Sequence, residues 1–290
     1  MKAVTVEVPA STSNLGPGFD CLGVALRLCN RVTVRRTAPD ATPAGLAATK
    51  MVREATCTFW DRAAVAPFAF SCEIAGDVPM SRGLGSSVTL RLGLLTALNT
   101  LAGRPLARQE LFEVCSGLEG HPDNAAPAQF GGFTVAGGGE EGHGVLRFPV
   151  AAALHFVLLI PDFEVRTVDA RQLLPETVSR RAAVASSARA CRVTAAFAAG
   201  RYEALRDAFE DSAFHQPHRL PLIPFLPEVL AAGRRAGALG GFLSGSGSTI
   251  CCPTLECPDA VADAMRGACG QPDARTVVTT ADNRGARTTR

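Results

Sequence analysis

The chain has 290 residues, 47% hydrophobic and 19% charged, the balance of a folded globular protein with one large or two ordinary cores. Its 29 basic and 27 acidic residues leave a formal charge of +2 with no polybasic run. That excludes nucleic acid and an anionic membrane surface as expected partners and leaves a small polyanion such as a nucleotide open. Ten cysteines are scattered without a C-x-x-C pair, which in a chain of this size fits reduced thiols in the cytoplasm better than a disulfide scaffold. The N-terminus lacks a signal-peptide core, and the longest apolar run, "VAAALHFVLLI", is too short to span a bilayer.

In chain order, "KAVTVEV" (2–8) and "NRVTVRR" (30–36) alternate like strands around "PASTSNLGPGFDCLG" (9–23), a loop too rich in proline and glycine for a plain hairpin. A helix is expected over 45–60 and a strand at "FAFSCEIAG" (68–76). "GLGSS" (83–87) then precedes Leu94, Leu98 and Leu101 at i, i+4 and i+7, with Leu95 widening the stripe and Gly103 and Pro105 as a stop. Glycines remove the Cβ atoms that keep a ligand off the main chain, and a helix's first turn carries unpartnered N–H groups. The turn therefore reads as an anion site, or as an ordinary loop with Ser86 or Ser87 as N-cap. Valine at Gly85 is expected to obstruct a ligand there without unfolding the chain.

Next come a helix over 107–120, the loop "HPDNAAPA" (121–128) and a strand at 131–137. Gly137 to Gly144, "GGGEEGHG", is expected to be a flexible turn close to a domain division, placed at 1–150 and 151–290. The second half should hold a strand at "LHFVLLIP" (154–161), helices near 170–200 and 202–212, a proline-rich stretch over 215–230 and a strand pair around "GGFLSGSGSTICC" (240–252). Strands and helices mix without regular alternation, which favours an α+β fold.

Four segments, "VEVPASTSNLGPGFDCLGVAL", "VPMSRGLGSSV", "LEGHPDNAAPAQFGGF" and "GGFLSGSGSTI", stand in the order found in the GHMP small-molecule kinases. The chain resembles that family nearly end to end, and within it most closely the members that phosphorylate homoserine; "RTVDARQLLP", "FHQPHRLPLIP" and the late "DNRGAR" join the match. The resemblance implies a two-domain α+β fold, ribosomal S5 domain 2-like in the N-terminal half and ferredoxin-like in the C-terminal half. The N-terminal domain would carry the phosphate loop, and the C-terminal domain the substrate side and a second glycine-rich loop. It further implies ATP and Mg²⁺ as cofactors, L-homoserine as substrate, a product entering threonine biosynthesis, a cytoplasmic setting and a homodimer.

By the same resemblance, Gly83, Leu84, Gly85, Ser86 and Ser87, with Gly245 and Ser246, would hold the nucleotide without a Walker lysine. Ser87 and Glu119 would be the protein ligands of Mg²⁺, which favours oxygen ligands and keeps waters. Arg171 and Arg219 would bind the substrate carboxylate, Asp123 its ammonium with Asn14 nearby, and Thr167 would add a hydrogen bond. Asn124 and Asp20 would lie beside the attacking hydroxyl as the catalytic pair. Asp20 is open to two readings, substrate positioning or ordering of the "NLGPGFD" loop, and His121 likewise to a loop-ordering or a direct role.

The chain departs from the family pattern at Val88, Thr89 and Arg91, where small or apolar residues are usual. It departs again at Ser248, where a serine in place of proline is expected to loosen its loop, and at Ala48, Thr49 and Lys50 beside the adenine site. Two other functions stay in view: a GHMP kinase for another small alcohol, and a non-catalytic binding protein of the same fold.

Overall fold

The computed structural model of the chain describes residues 2–39, 42, 45–137, 144–210 and 213–289. Among them the strands form two antiparallel sheets. The first is built on a long pair, β1 (Ala3–Ser13) and β2 (Leu22–Arg36), in register from Ala3↔Arg35 to Ser13↔Gly23 with an irregularity at Pro9/Ala10. Both strands thus run well into the stretch expected as loop. Ala10 to Ser13 are fully buried, so no alternation marked them as strand. The bent β2 pairs with β3 (Phe70–Gly76) over one half and β4 (Phe133–Gly137) over the other; β5 (Gly144–Phe148) adds beside β4. The expected flexible turn lies, over 138–143, outside the described residues.

One face of this sheet carries α1 (Lys50–Ala63), α2 (Ser86–Leu101), α3 (Arg108–Glu119) and the short α4 (Ala125–Phe130), the last inside the expected "HPDNAAPA" loop. Leu94, Leu95, Leu98 and Leu101 of α2 meet Val6, Val8, Val32 and Val34 of the sheet in one core. Gly93 is where helix and sheet touch, since a Cβ there would come within 2.5 Å of Val32.

The second sheet has the order β7 (Phe242–Leu243), β8 (Ile250–Thr254), β6 (His155–Ile160), β9 (Arg275–Thr280). Strand β6 alternates cleanly. Phe156, Leu158 and Ile160 point toward the first sheet, whereas Val157 and Leu159 pack under α8 (Leu226–Arg235) and α9 (Pro258–Cys269). Both faces are buried, which is why "LHFVLLI" reads as an unbroken apolar run.

Between the sheets, Ala10, Leu22, Val24 and Phe133 share a core with β6 and with α6 (Arg180–Ala199). Phe133 stacks on Phe197 at 4.3 Å between centroids. The region expected as helices near 170–200 is α5 (Thr167–Gln172) and α6, separated by a stretch containing Pro175. The helix expected over 202–212 is only a 3-10 turn, Tyr202–Leu205. A short α7 (Gln216–Arg219) and the front of α8 occupy the proline-rich stretch, with prolines in the first turn of each, where the missing N–H has no intrahelical partner to lose. The last strand, β10 (Arg287–Thr289), pairs with β1, so the chain ends its course in the first sheet, across the division expected at 150. No helix among the described residues is long and apolar enough to cross a membrane.

Candidate active site

A cleft of about 410 Å³ lies where the two halves meet, and nearly every site residue expected from sequence lines it. Leu84 does not. Its side chain is buried in the core between the sheets, and only its backbone serves the loop, accepting from the Ser11 N–H at 3.2 Å.

At one end the site is main chain. Gly83 and Gly85 sit at φ 70° and 68°, left-handed backbone that glycine adopts at little cost. A Cβ on Gly83 would lie 2.1 Å from the Ser244 carbonyl oxygen, and one on Gly85 2.4 Å from Ser11 Oγ. Gly85 itself, and not Ser86 or Ser87, is the N-cap of α2, with no side chain capping the helix. The first-turn N–H groups of a 16-residue helix therefore face the cleft with their share of the helix dipole. Val88 and Thr89 are accommodated behind this turn: Val88 is buried, and Thr89 donates to the Ser86 carbonyl at 2.7 Å and accepts from Asn30. Beyond the turn, Leu46, Met51, Ile74, Val78 and Leu90 make an apolar wall. Thr49, one of the departures noted above, caps α1 by accepting from the Val52 N–H and helps set that wall.

The metal candidates come together at the same end. Ser87 Oγ donates to Glu119 Oε2 at 2.9 Å, and Arg91 Nη1 donates to Glu119 Oε1 at 2.5 Å. A hydroxyl and one carboxylate oxygen on the cleft wall are the hard donors that Mg²⁺ takes, so Ser87 and Glu119 fit that ion. A second cluster, Asp20, His121 and Asp123, has ligand atoms within 4.8 Å of one another. It is compensated internally: Asp20 pairs with Arg171, and Asp123 Oδ1 sits 2.5 Å from His121 Nδ1. Burial alone would raise the Asp123 pKa, but the His121 hydrogen bond and charge, with Ser13 and Arg171, hold it below its usual value. Burial lowers the His121 pKa, and the Asp123 bond and charge raise it further than that, so the imidazole is drawn toward its charged form. Burial first, then Asp123 and Asp20, pushes the neighbouring Cys21 thiol to about 11, leaving it neutral.

At the other end the site is side chain. Arg171 closes a bidentate pair on Asp20 (3.1 and 2.6 Å). The buried Arg219 donates to the Gly245 carbonyl at 2.8 Å and to His215 Nδ1 at 3.2 Å. Since arginine only donates, His215 Nδ1 accepts, and its Nε2–H is then the donor to the Gly16 carbonyl at 2.9 Å. Both guanidiniums lie over the ring of Phe19, at 5.5 and 5.6 Å from its centroid.

Asn14 accepts from the Asp20 N–H at 3.0 Å and donates to the Gly245 carbonyl at 3.1 Å, so its amide holds the 14–20 loop and the second glycine loop together. That loop keeps three non-glycine residues, Asn14, Leu15 and Asp20, at positive φ, a strain its neighbours must hold in place. Asn124 accepts from Ser11 Oγ and donates to Ser13 Oγ, both at 2.9 Å, which sets it against Gly85. Gly245 and Ser246 lie where the two ends join; Ser246 Oγ is 3.5 Å from Thr167 Oγ1. Ser248, where a looser loop is expected, is buried and its hydroxyl donates to the Phe163 carbonyl at 2.8 Å.

The chain is similar to known proteins in both sequence and structure. The family of GHMP kinases N terminal domains matches residues 46–132, and that of GHMP kinases C terminal matches 193–271. A homoserine kinase from Microchaete diplosiphon is 37% identical over 98% of this chain and 94% of its own length. The chain belongs to the GHMP kinases. Another homoserine kinase relative, from Clostridium beijerinckii, is 39% identical over 85% of each chain. The crystal structure of homoserine kinase from Cytophaga hutchinsonii superposes with a TM-score of 0.88 at 25% identity, covering 100% of this chain and 98% of that one. Mevalonate diphosphate decarboxylase from Enterococcus faecalis shares the fold at a TM-score of 0.72 and 15% identity. The two-domain GHMP kinase fold is thus the fold of this chain.

In this GHMP kinase, sequence reasoning passed over Phe19, although it sits inside the quoted "GPGFD". It also passed over the apolar wall, whose residues come from separate segments with no common motif, and over the Arg91–Glu119 pair, whose members lie on different helices.

Proposed function

We propose that this GHMP kinase transfers the γ-phosphoryl group of ATP to the side-chain hydroxyl of L-homoserine, giving O-phospho-L-homoserine. The observation that carries the reading is the pair of guanidiniums of Arg171 and Arg219 over Phe19, facing the acidic Asp123 within one cleft. An amino acid presents one carboxylate and one ammonium, and this end of the cleft offers partners for each. The planar arginine fork matches a carboxylate bidentately. The curated relatives named homoserine kinase support the same substrate.

Under this reading the apolar wall takes the base, and the amides around Gly83 to Ser87 take the phosphates. The division of labour follows the two proposed domains, with the phosphate loop in 1–150 and the arginines, Thr167, Gly245 and Ser246 in 151–290. Asn124, fixed to Ser11 and Ser13 and touching the phosphate loop, is placed between nucleotide and amino acid. It orients the hydroxyl for direct attack. Phosphoryl transfer needs mainly positioning and charge stabilisation, so no strong side-chain base is required. Asp20 is a positioning residue that holds Arg171 until the substrate carboxylate competes for it. Mg²⁺ held by Ser87 and Glu119 would neutralise charge on the phosphates. The homodimer and the cytoplasmic setting belong to the same proposal.

A coupled ADP-release assay across homoserine, mevalonate, galactose and shikimate tests the proposal. Turnover is expected with homoserine, and serine should be roughly 10- to 200-fold poorer for its missing methylene. Turnover with mevalonate or galactose but not homoserine would replace this reading with that of another small-alcohol kinase.

A further inference from the structure

Arg91 is a cation where a helix behind a phosphate loop has no evident use for one. It lies four residues after Ser87, on the same face of α2, and its side chain is only 13% exposed. Its Nη1 holds Glu119 Oε1, while its buried Nε finds no hydrogen-bond acceptor among the described residues. Glu119, the last residue of α3, is 9% exposed and has its other oxygen on Ser87. The three side chains form one line from the phosphate loop inward: hydroxyl, carboxylate, guanidinium.

One consequence follows from charge alone. The Arg91 guanidinium occupies one Glu119 oxygen and offsets the charge of the site. A divalent ion arriving alone would meet a neutral pair with a guanidinium on its far side. An ion arriving on a triphosphate brings its own counter-charge and needs from the protein only Glu119 Oε2, Ser87 and water.

We infer that Arg91 is a positioning residue that makes metal uptake conditional on the nucleotide: its guanidinium occupies Glu119 Oε1 and denies the site to free divalent cations. The inference rests on the reading of Ser87 and Glu119 as metal ligands given above. It makes the metal–nucleotide complex, and not metal followed by nucleotide, the species the cleft accepts.

The test uses Mn²⁺ as the probe, with free ion read by electron paramagnetic resonance on the full chain without homoserine. Wild type should bind Mn²⁺ at least about tenfold more tightly with a non-hydrolysable ATP analogue than alone. Arg91→Met, neutral and of similar length, should bind Mn²⁺ alone at least about tenfold more tightly than wild type, and Arg91→Lys, which keeps the charge, should stay near wild type. A folded Arg91→Met protein with unchanged or weaker affinity for Mn²⁺ alone would overturn the inference and leave Arg91 a stabilising ion pair. If Arg91→Met fails to fold, Arg91→Gln is titrated in its place, and unchanged or weaker affinity for Mn²⁺ alone overturns the inference as well. Failure of homoserine phosphorylation would leave these titrations readable, so the two readings fail separately.

Discussion

The two ends of the cleft are built from different materials. Around Gly83 to Ser87 the contacts on offer are backbone amides on a helix that the first core holds rigid. Around Arg219 they are side chains, each held by a neighbouring group: Arg219 by the Gly245 carbonyl and His215, His215 by the Gly16 carbonyl, and Arg171 by the Asp20 carboxylate. A main-chain site is indifferent to the identity of most side chains and intolerant of any atom added to its glycines. A side-chain site selects its ligand finely but fails at any single truncation, because the partner left behind is buried.

The largest effect should come from breaking the side-chain end. Arg219→Ala is expected to cost about 2–5 kcal/mol in kcat/KM for homoserine, and Arg171→Ala, half-exposed and shared with Asp20, should fall at the low end of that range. ATP affinity should hardly change in either variant, and the carboxamide of homoserine should lose little further. Equal losses for nucleotide and amino acid would dissolve the distinction between the two ends.

The main-chain end is probed next. At Gly85 the structure adds a stability cost to the expectation that a side chain there would block the ligand. The added Cβ meets Ser11 Oγ at 2.4 Å, and the left-handed backbone itself costs an L residue about 1–2 kcal/mol. Gly85→Ala should therefore lower both thermal stability and nucleotide affinity, the latter by about tenfold, with the homoserine KM least affected. Unchanged melting and nucleotide binding would mean the loop is not held as described.

The smallest effect is one of pH. The folded state raises the His121 pKa above 6.5, so the stability it contributes is fully present below that value and fades as pH rises through the folded value. Asp123 is shifted down from 3.8, so its contribution is present above that value and is lost as pH falls through the folded value. The melting-temperature advantage of wild type over His121→Gln should shrink between about pH 6 and pH 9. A gap that widens with pH would contradict a charged His121–Asp123 pair.

How much of this could be read beforehand divides along the same line. "GLGSS" before a leucine stripe announced a bare helix mouth, since glycine and period carry physical meaning locally. The core strand "LHFVLLI" was legible for the same reason. The arginines were not distinguishable from surface residues except through the family resemblance, because nothing local says that residues 171 and 219 meet over Phe19. The helix α9 and strands β9 and β10 escaped for want of strong patterns, and their places are set by packing on partners distant in sequence. Arg91 stood out only as an oddity; its meaning needed Glu119, 28 residues away on another helix, to be brought beside it.

Strand β10 bears on how the protein is made. Its Arg287 pairs with Glu7 of β1, 280 positions away in the chain. At roughly 5–20 residues per second on the ribosome, β1 leaves the exit tunnel about 15–60 s before the segment that covers its edge exists. Throughout that interval the nascent first sheet offers an open ladder to any neighbouring chain. Messages that stall or end before the codon for Arg287 would leave that ladder open for good, so their products should be drawn to chaperones and aggregates even though every residue lining the cleft has already been made.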